Sequence, residues 1–161
     1  MTVANSAVFD NCIINAFGAL VQWPTKAQGS AVEFCTLQTT EANLNKATWA
    51  TYTNISDQVA NGSGYTTGGY GTGSTAVVLT GAAPNVAKFA AASTSTWGAT
   101  ATFSTTTAIF NYGTLANTTN PLLSYHDLTN ATGTAQSVVS GTLTLTWATA
   151  GVFTITISAA G

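Results

Sequence analysis

The chain opens on a helical spacing of apolar positions and then changes to period two. Val8, Phe9, Cys12, Ile13, Ala16, Phe17 and Leu20 fall on one broad stripe, with Asn5 or Ser6 as N-cap, which predicts an amphipathic helix over 5–22. Pro24 disfavours helical geometry at Trp23, and "TKAQGS" behind it is turn material. "AVEFCTL" (31–37) then alternates Val32 and Phe34 with Glu33 and Cys35, the pattern of a strand with one wetter face. In 40–53, Glu41, Ala42, Leu44, Lys46 and Ala47 favour helix while the threonines oppose it, so the stretch reads as a helical turn.

Runs suited to strands follow at 75–80, 86–91, 99–104, 107–113, 122–128, 135–140, 141–149 and 151–158, with turn residues in almost every gap. Short strands at such spacing predict a mainly β chain, a single β-sandwich or jelly-roll-like domain over 1–161. The helix packs at its side or end and the β-rich part covers 31–161. Leu143, Leu145 and Trp147 alternate with Thr142, Thr144 and Thr146, and Ala150-Gly151 offers a turn into Val152–Ile157. That pattern predicts a hairpin with one apolar and one threonine face. No repeat of 20 to 50 residues is present.

Charge changes the picture more than size does. Of 161 residues only 5% are charged, with three lysines, no arginine and five carboxylates, where about a quarter is usual. The surface is therefore built from Thr, Ser, Asn, Gln and Gly. Low charge favours association over repulsion, which points to a homo-oligomer or a chain packed on a partner. Nucleic acid is excluded as a partner, because Lys26, Lys46 and Lys88 are scattered. No membrane span or signal peptide fits the first residues, where Asp10, Asn11 and Asn15 interrupt the apolar positions, so synthesis in the cytosol is expected. Cys12 and Cys35 read most simply as buried thiols, with a disulfide left open.

Candidate chemistry is sparse. His126-Asp127 is the one place where a base and a carboxylate adjoin, but neighbours on a strand point to opposite faces. No nucleophile elbow and no metal-ligand spacing accompany them, so the reading is non-enzymatic, without cofactor or metal. Trp23, Trp49, Trp97 and Trp147 could stack on sugars, although Trp97 and Trp147 sit where large rings fill a sandwich core. The densest feature is "NGSGYTTGGYG" (61–71), with five glycines and two tyrosines in eleven positions. No Lys-Ser/Thr pair and no helix-forming run follow it, so it lacks the context of a phosphate loop.

That stretch carries a resemblance. "DQVANGSGYTTGG" (57–69) is similar to the "EVSGTGYTAGG" signature of a family of small virion proteins of tailed bacteriophages. Around it, in the family's order, "VEFCTLQTT" resembles "VALYTS", "AIFNYG" resembles "AVIYN", "PLLSYHDL" resembles "PLIGYIDFG", and "GTLTLTWATAGVFTI" resembles "GTFTIQW..GGI". Asp57 matches the family's acidic residue, while Gln58 and Ala60 depart from the usual neighbours. The resemblance implies a structural protein of the virion, made in the host cytoplasm, such as a capsid decoration or cement protein of the head. Its partners would be the major capsid protein or other virion proteins, and a trimer is one symmetry it could adopt. A tail, neck or fibre-base component is the alternative, and a host-glycan-binding module a further one. The interaction and structural candidates are Gly62, Gly64, Tyr65, Gly68, Gly69, Tyr70, Trp97 and Trp147. The stretch itself reads as a corner, with glycines allowing a tight chain crossing and tyrosines anchoring it.

Overall fold

Val, Ile, Thr and aromatic residues dominate the chain beyond residue 30, and such side chains suit a pleated surface. The computed structural model describes residues 7–12, 32–71, 76–79, 86–90, 94–129, 132–147 and 153–156. Among these lie β1 (Ala7–Val8), β2 (Val32–Gln38), β3 (Tyr70–Gly71), β4 (Ala76–Leu79), β5 (Val86–Ala90), β6 (Thr94–Thr105), β7 (Thr107–Gly113), β8 (Leu122–Asp127), β9 (Gln136–Thr146) and β10 (Phe153–Thr156). The protein is mainly β, as its pattern predicts.

All the pairings are antiparallel. A five-stranded sheet runs in the order β1-β8-β7-β2-β3, β6 and β9 form a long ribbon, and β10-β5-β4 form a small sheet. In the large sheet Cys35, Phe110 and Ser124 lie in register on one face, and Thr36, Ile109 and Tyr125 on the other. Both faces are covered. Thr107 to Asn111 of β7 are buried without a break, which is the signature of a central strand packed on two sides.

The ribbon covers the first face. Trp147, just past β9, packs edge-on to Phe110, and Trp97 of β6 lies against Tyr70. Residues 9–12 and the segment after β2 cover the second face. There Phe9 stacks on Trp49 and tilts against Tyr125, while the Phe9 N–H donates to the Leu123 carbonyl. Full burial of a ring such as Phe110 contributes about 2–3 kcal/mol.

Four expectations are corrected. Ala7 and Val8 do not begin a helix but pair with Tyr125 and Ser124; helical geometry starts at Asp10–Cys12, and most of 5–22 lies outside the described residues. The tertiary reason is that β8 has an open edge at this point, and two extended residues satisfy it. The hairpin expected between 141–149 and 151–158 does not form. β9 pairs with β6, and β10 pairs with β5, placing Phe153 opposite Phe89. The stretches 135–140 and 141–149 merge into one strand, interrupted where Ser140 takes φ +47 and the register with β6 shifts. Among its described side chains, 34–38, β2 shows no wetter face, since Cys35, Thr36 and Leu37 are all fully buried.

In 40–53 the helical tendency yields isolated turns, with Leu44 N bonded to Glu41 O and Trp49 N to Asn45 O, and a short 3-10 turn at Tyr52–Asn54. Along β9 the expected alternation holds: Leu143 and Leu145 are half-buried, while Thr142, Thr144 and Thr146 are exposed.

Candidate functional site

The glycine-rich stretch runs along the outer edge of β2 and closes it. In chain order, Asp57 O accepts from Thr39 N, Val59 N donates to Leu37 O, and the Tyr65 hydroxyl oxygen accepts from Leu37 N at 3.1 Å. Thr36 Oγ1 donates to Gly68 O, after which β3 pairs Tyr70 with Cys35 and Gly71 with Phe34. An open sheet edge is a template for unwanted pairing, and here the protein covers this one with its own chain.

Two glycines are required by geometry. Gly69 has φ +88 and lies so close to β2 that a β-carbon would run into the Cys35 carbonyl oxygen. Gly64, at φ +84, forms a tight turn with Ser63 at φ +49, closed by mutual backbone bonds between Gly62 and Tyr65. Positive φ at both central residues is the requirement of a type I′ turn. A β-carbon on Gly64 would stand 2.7 Å from the Cα of Ala101, so the turn is pressed directly onto β6. Thr102 N then donates to Ser63 O at 2.8 Å, tying ribbon to corner.

Tyr65 is the anchor of this corner. Its ring is buried, stacks 6.4 Å from Trp97 and meets Phe103 edge-on at 5.7 Å. Its oxygen also accepts from Gln58 Nε2, whose Oε1 in turn accepts the Tyr52 hydroxyl. Burial pushes the Tyr65 phenol well above its ordinary range. Thus Gly62, Gly64, Tyr65, Gly68, Gly69, Tyr70 and Trp97 are brought together. Trp147 is not part of that group and packs instead with Phe110 and His126 at another part of the sheet–ribbon interface.

The remaining candidates are separated. His126 lies with Phe110 and Trp147, while the Asp127 carboxylate accepts from Thr129 N and Oγ1 at 2.7 Å, as opposite strand faces require. His126 Nε2 does sit 3.2 Å from Ser124 Oγ, a pair that the sequence pattern did not single out and that the spacing Ser-x-His on a strand could have signalled. Ser124 is fully buried, so its hydroxyl presents no face to a substrate. Among the described residues no three His, Cys, Asp or Glu side chains group as metal ligands, and no helix is long and apolar enough to cross a membrane. Cys12 and Cys35 are buried thiols not joined in a disulfide, and burial pushes Cys12 up to about 12.

The arrangement fixes a sheet edge to a ribbon. Comparison with family models, curated proteins and solved structures found no match.

Proposed function

We propose that this chain is a non-enzymatic structural protein of a tailed-phage particle, a capsid decoration or cement protein that sits on the head lattice as a symmetric oligomer. The observation that carries the reading is the ordered series of motifs headed by residues 57–69, which resembles the virion family. In this fold the signature is a scaffold element, as a structural role asks, with its glycines pressed onto β2 and β6.

Surface chemistry supports the same reading. Residues 128–161 contain no Asp, Glu, Lys or Arg, and the exposed positions of β9 are Gln, Ser, Val and Thr. Such a face packs against protein without stripping water from ions, whose desolvation often exceeds the gain from pairing them. Many copies bound to an assembled shell would stabilise it by mass action, since they bind the assembled state in preference to free subunits.

The test is the copy number per purified particle, by quantitative mass spectrometry against the major capsid protein. One copy per capsid protein, or one trimer per local three-fold, is the expected result. A handful of copies would move the protein to tail, neck or fibre base, and absence from particles would overturn the virion assignment. A glycan-binding role has less support, because Trp49 and Trp97 are 7% and 3% exposed and offer no stacking platform.

A further inference from the structure

The ribbon is held to the large sheet at the end of β9 by a three-ring cluster. Phe110 of β7 and Trp147 stand 4.8 Å apart, and His126 of β8 lies 5.5 Å from each. Trp147 Nε1 donates to the buried Ser95 Oγ of β6, which fixes the indole in place. His126 Nε2 meets the Ser124 hydroxyl, a neutral partner.

The surroundings of the imidazole carry no balancing charge among the described residues. On its face of the sheet β7 contributes Ala108 and Phe110, and β2 contributes Leu37, in line with His126, the buried Cys35 thiol, and Glu33 farther along the strand, four residues from Leu37 and in register with Tyr112. The ribbon contributes Trp147 and, bonded to it, Ser95. The carboxylates of Asp127, Glu41 and Asp10 belong elsewhere: Asp127 bonds Thr129, Glu41 bonds Thr107, and Asp10 pairs with Lys46. An imidazolium in this half-buried position would lose part of its water and keep only the neutral Ser124 hydroxyl and two neighbouring rings as partners, which return part of that cost.

We propose that His126 is an acid-sensitive latch, which clamps the end of the β6–β9 ribbon to the five-stranded sheet while neutral and releases it on protonation. Burial lowers its proton affinity, placing its pKa at about 4 instead of 6.5. The latch stays closed near neutrality and opens in moderate acid. The release is local: β6 and β9 remain paired to each other through their own ladder, and the corner at 57–71 still holds the middle of β6 through Ser63 and Thr102.

The chain contains one histidine, so its titration can be followed without ambiguity. The test is an NMR pH titration of the intact protein, reading the imidazole C–H signal and the Trp147 indole N–H signal together, with far-UV circular dichroism alongside. The expected result is a histidine midpoint between 4 and 6.5, well below the ordinary value, a Trp147 shift with the same midpoint as its bond to Ser95 is lost, and an unchanged β signal. His126→Gln should remove the Trp147 transition. A histidine midpoint near 6.5, a Trp147 signal indifferent to protonation, loss of the whole β signal at the same midpoint, or a transition that survives in His126→Gln would each overturn the latch. Should His126→Gln fail to fold, the wild-type titration alone decides.

Discussion

Phe110 and Trp147 meet edge to face across the interface between the five-stranded sheet and the β6–β9 ribbon, 37 positions apart in sequence (147 − 110) and 4.8 Å apart between ring centroids. Phe110 is fully buried at the centre of the sheet, and its contact with the ribbon is one of the few points where the two layers are joined by large rings. Truncation there leaves a cavity that neither layer can collapse to fill. Phe110→Ala should lower stability by about 3–5 kcal/mol, read as a drop in the urea midpoint at unchanged slope.

Gly69 and Gly62 make a matched pair for testing the corner. Both have positive φ, but a β-carbon at Gly69 would collide with the Cys35 carbonyl, while one at Gly62 meets nothing within 4 Å. Gly69→Ala should cost about 3 kcal/mol or more, the strain of a left-handed residue plus displacement of β2. Gly62→Ala should cost about 1 kcal/mol, the strain alone. Equal losses in thermal melts of the two variants would mean that the close crossing over β2 is not what requires glycine.

Tyr65→Phe keeps the ring stack on Trp97 and removes one oxygen, leaving Leu37 N–H and Gln58 Nε2 without their acceptor. The expected cost is about 1–3 kcal/mol. The phenol also makes the fold sensitive to alkali. Its acidity is weakened in the folded state, so above pH 10 the unfolded chain ionises first and stability falls as pH rises. Denaturant midpoints measured between about pH 9 and 11, on either side of the ordinary phenol value, should fall less steeply in Tyr65→Phe than in the wild type.

Cys12 and Cys35 are both buried to 0% exposure and are not joined in a disulfide. With Cys12 pushed up to about 12, its thiolate is scarce in mildly alkaline buffer. Ellman's reagent should find no fast-reacting thiol in the native protein and two after denaturation. No thiol after denaturation would show that the two have become oxidised, and a single thiol that one of them has.

The His126 latch carries a thermodynamic consequence. Because the folded pKa of about 4 lies below the ordinary 6.5, the unfolded chain binds the proton first as pH falls. The contribution of His126 is therefore fully present above pH 6.5 and is lost progressively down to pH 4. Each tenfold difference in proton affinity between the folded and unfolded chain is worth about 1.4 kcal/mol. With some discount for a ring that is not wholly enclosed, the loss is about 2–3 kcal/mol. Subtracting the stability profile of His126→Gln from that of the wild type isolates this loss from the carboxylates.

Much of the β character was legible along the chain, because it depends on local chemistry. Threonine and leucine alternate from 142 to 146, and the outward threonines and half-buried leucines of β9 follow from the two-residue period alone. The opposite faces of His126 and Asp127 follow from the same period. The corner was legible for a related reason: glycines at 62, 64, 68 and 69 announce a path that other residues cannot take, and all four have positive φ.

Pairing was a different matter. Ala150-Gly151 looks like a hairpin turn, yet β9 and β10 belong to different sheets, because a strand's sequence encodes the face it buries and not the neighbour it bonds. Ala7 and Val8 fit a helical stripe as well as a strand, and the open edge of β8 decided between them. The burial of both faces of β2 likewise depends on a layer formed by distant segments, so Thr36 could not be read as core from its own neighbourhood.

Composition, alternation and permitted backbone angles are properties of short stretches, and they set a charge-poor, mainly β chain with a glycine-dependent corner. Long-range packing settled that the corner seals the edge of β2 and that β6 partners β9. It alone set His126 beside Phe110 and Trp147, because those contacts join residues far apart in the chain whose association is settled by packing and not by local preference.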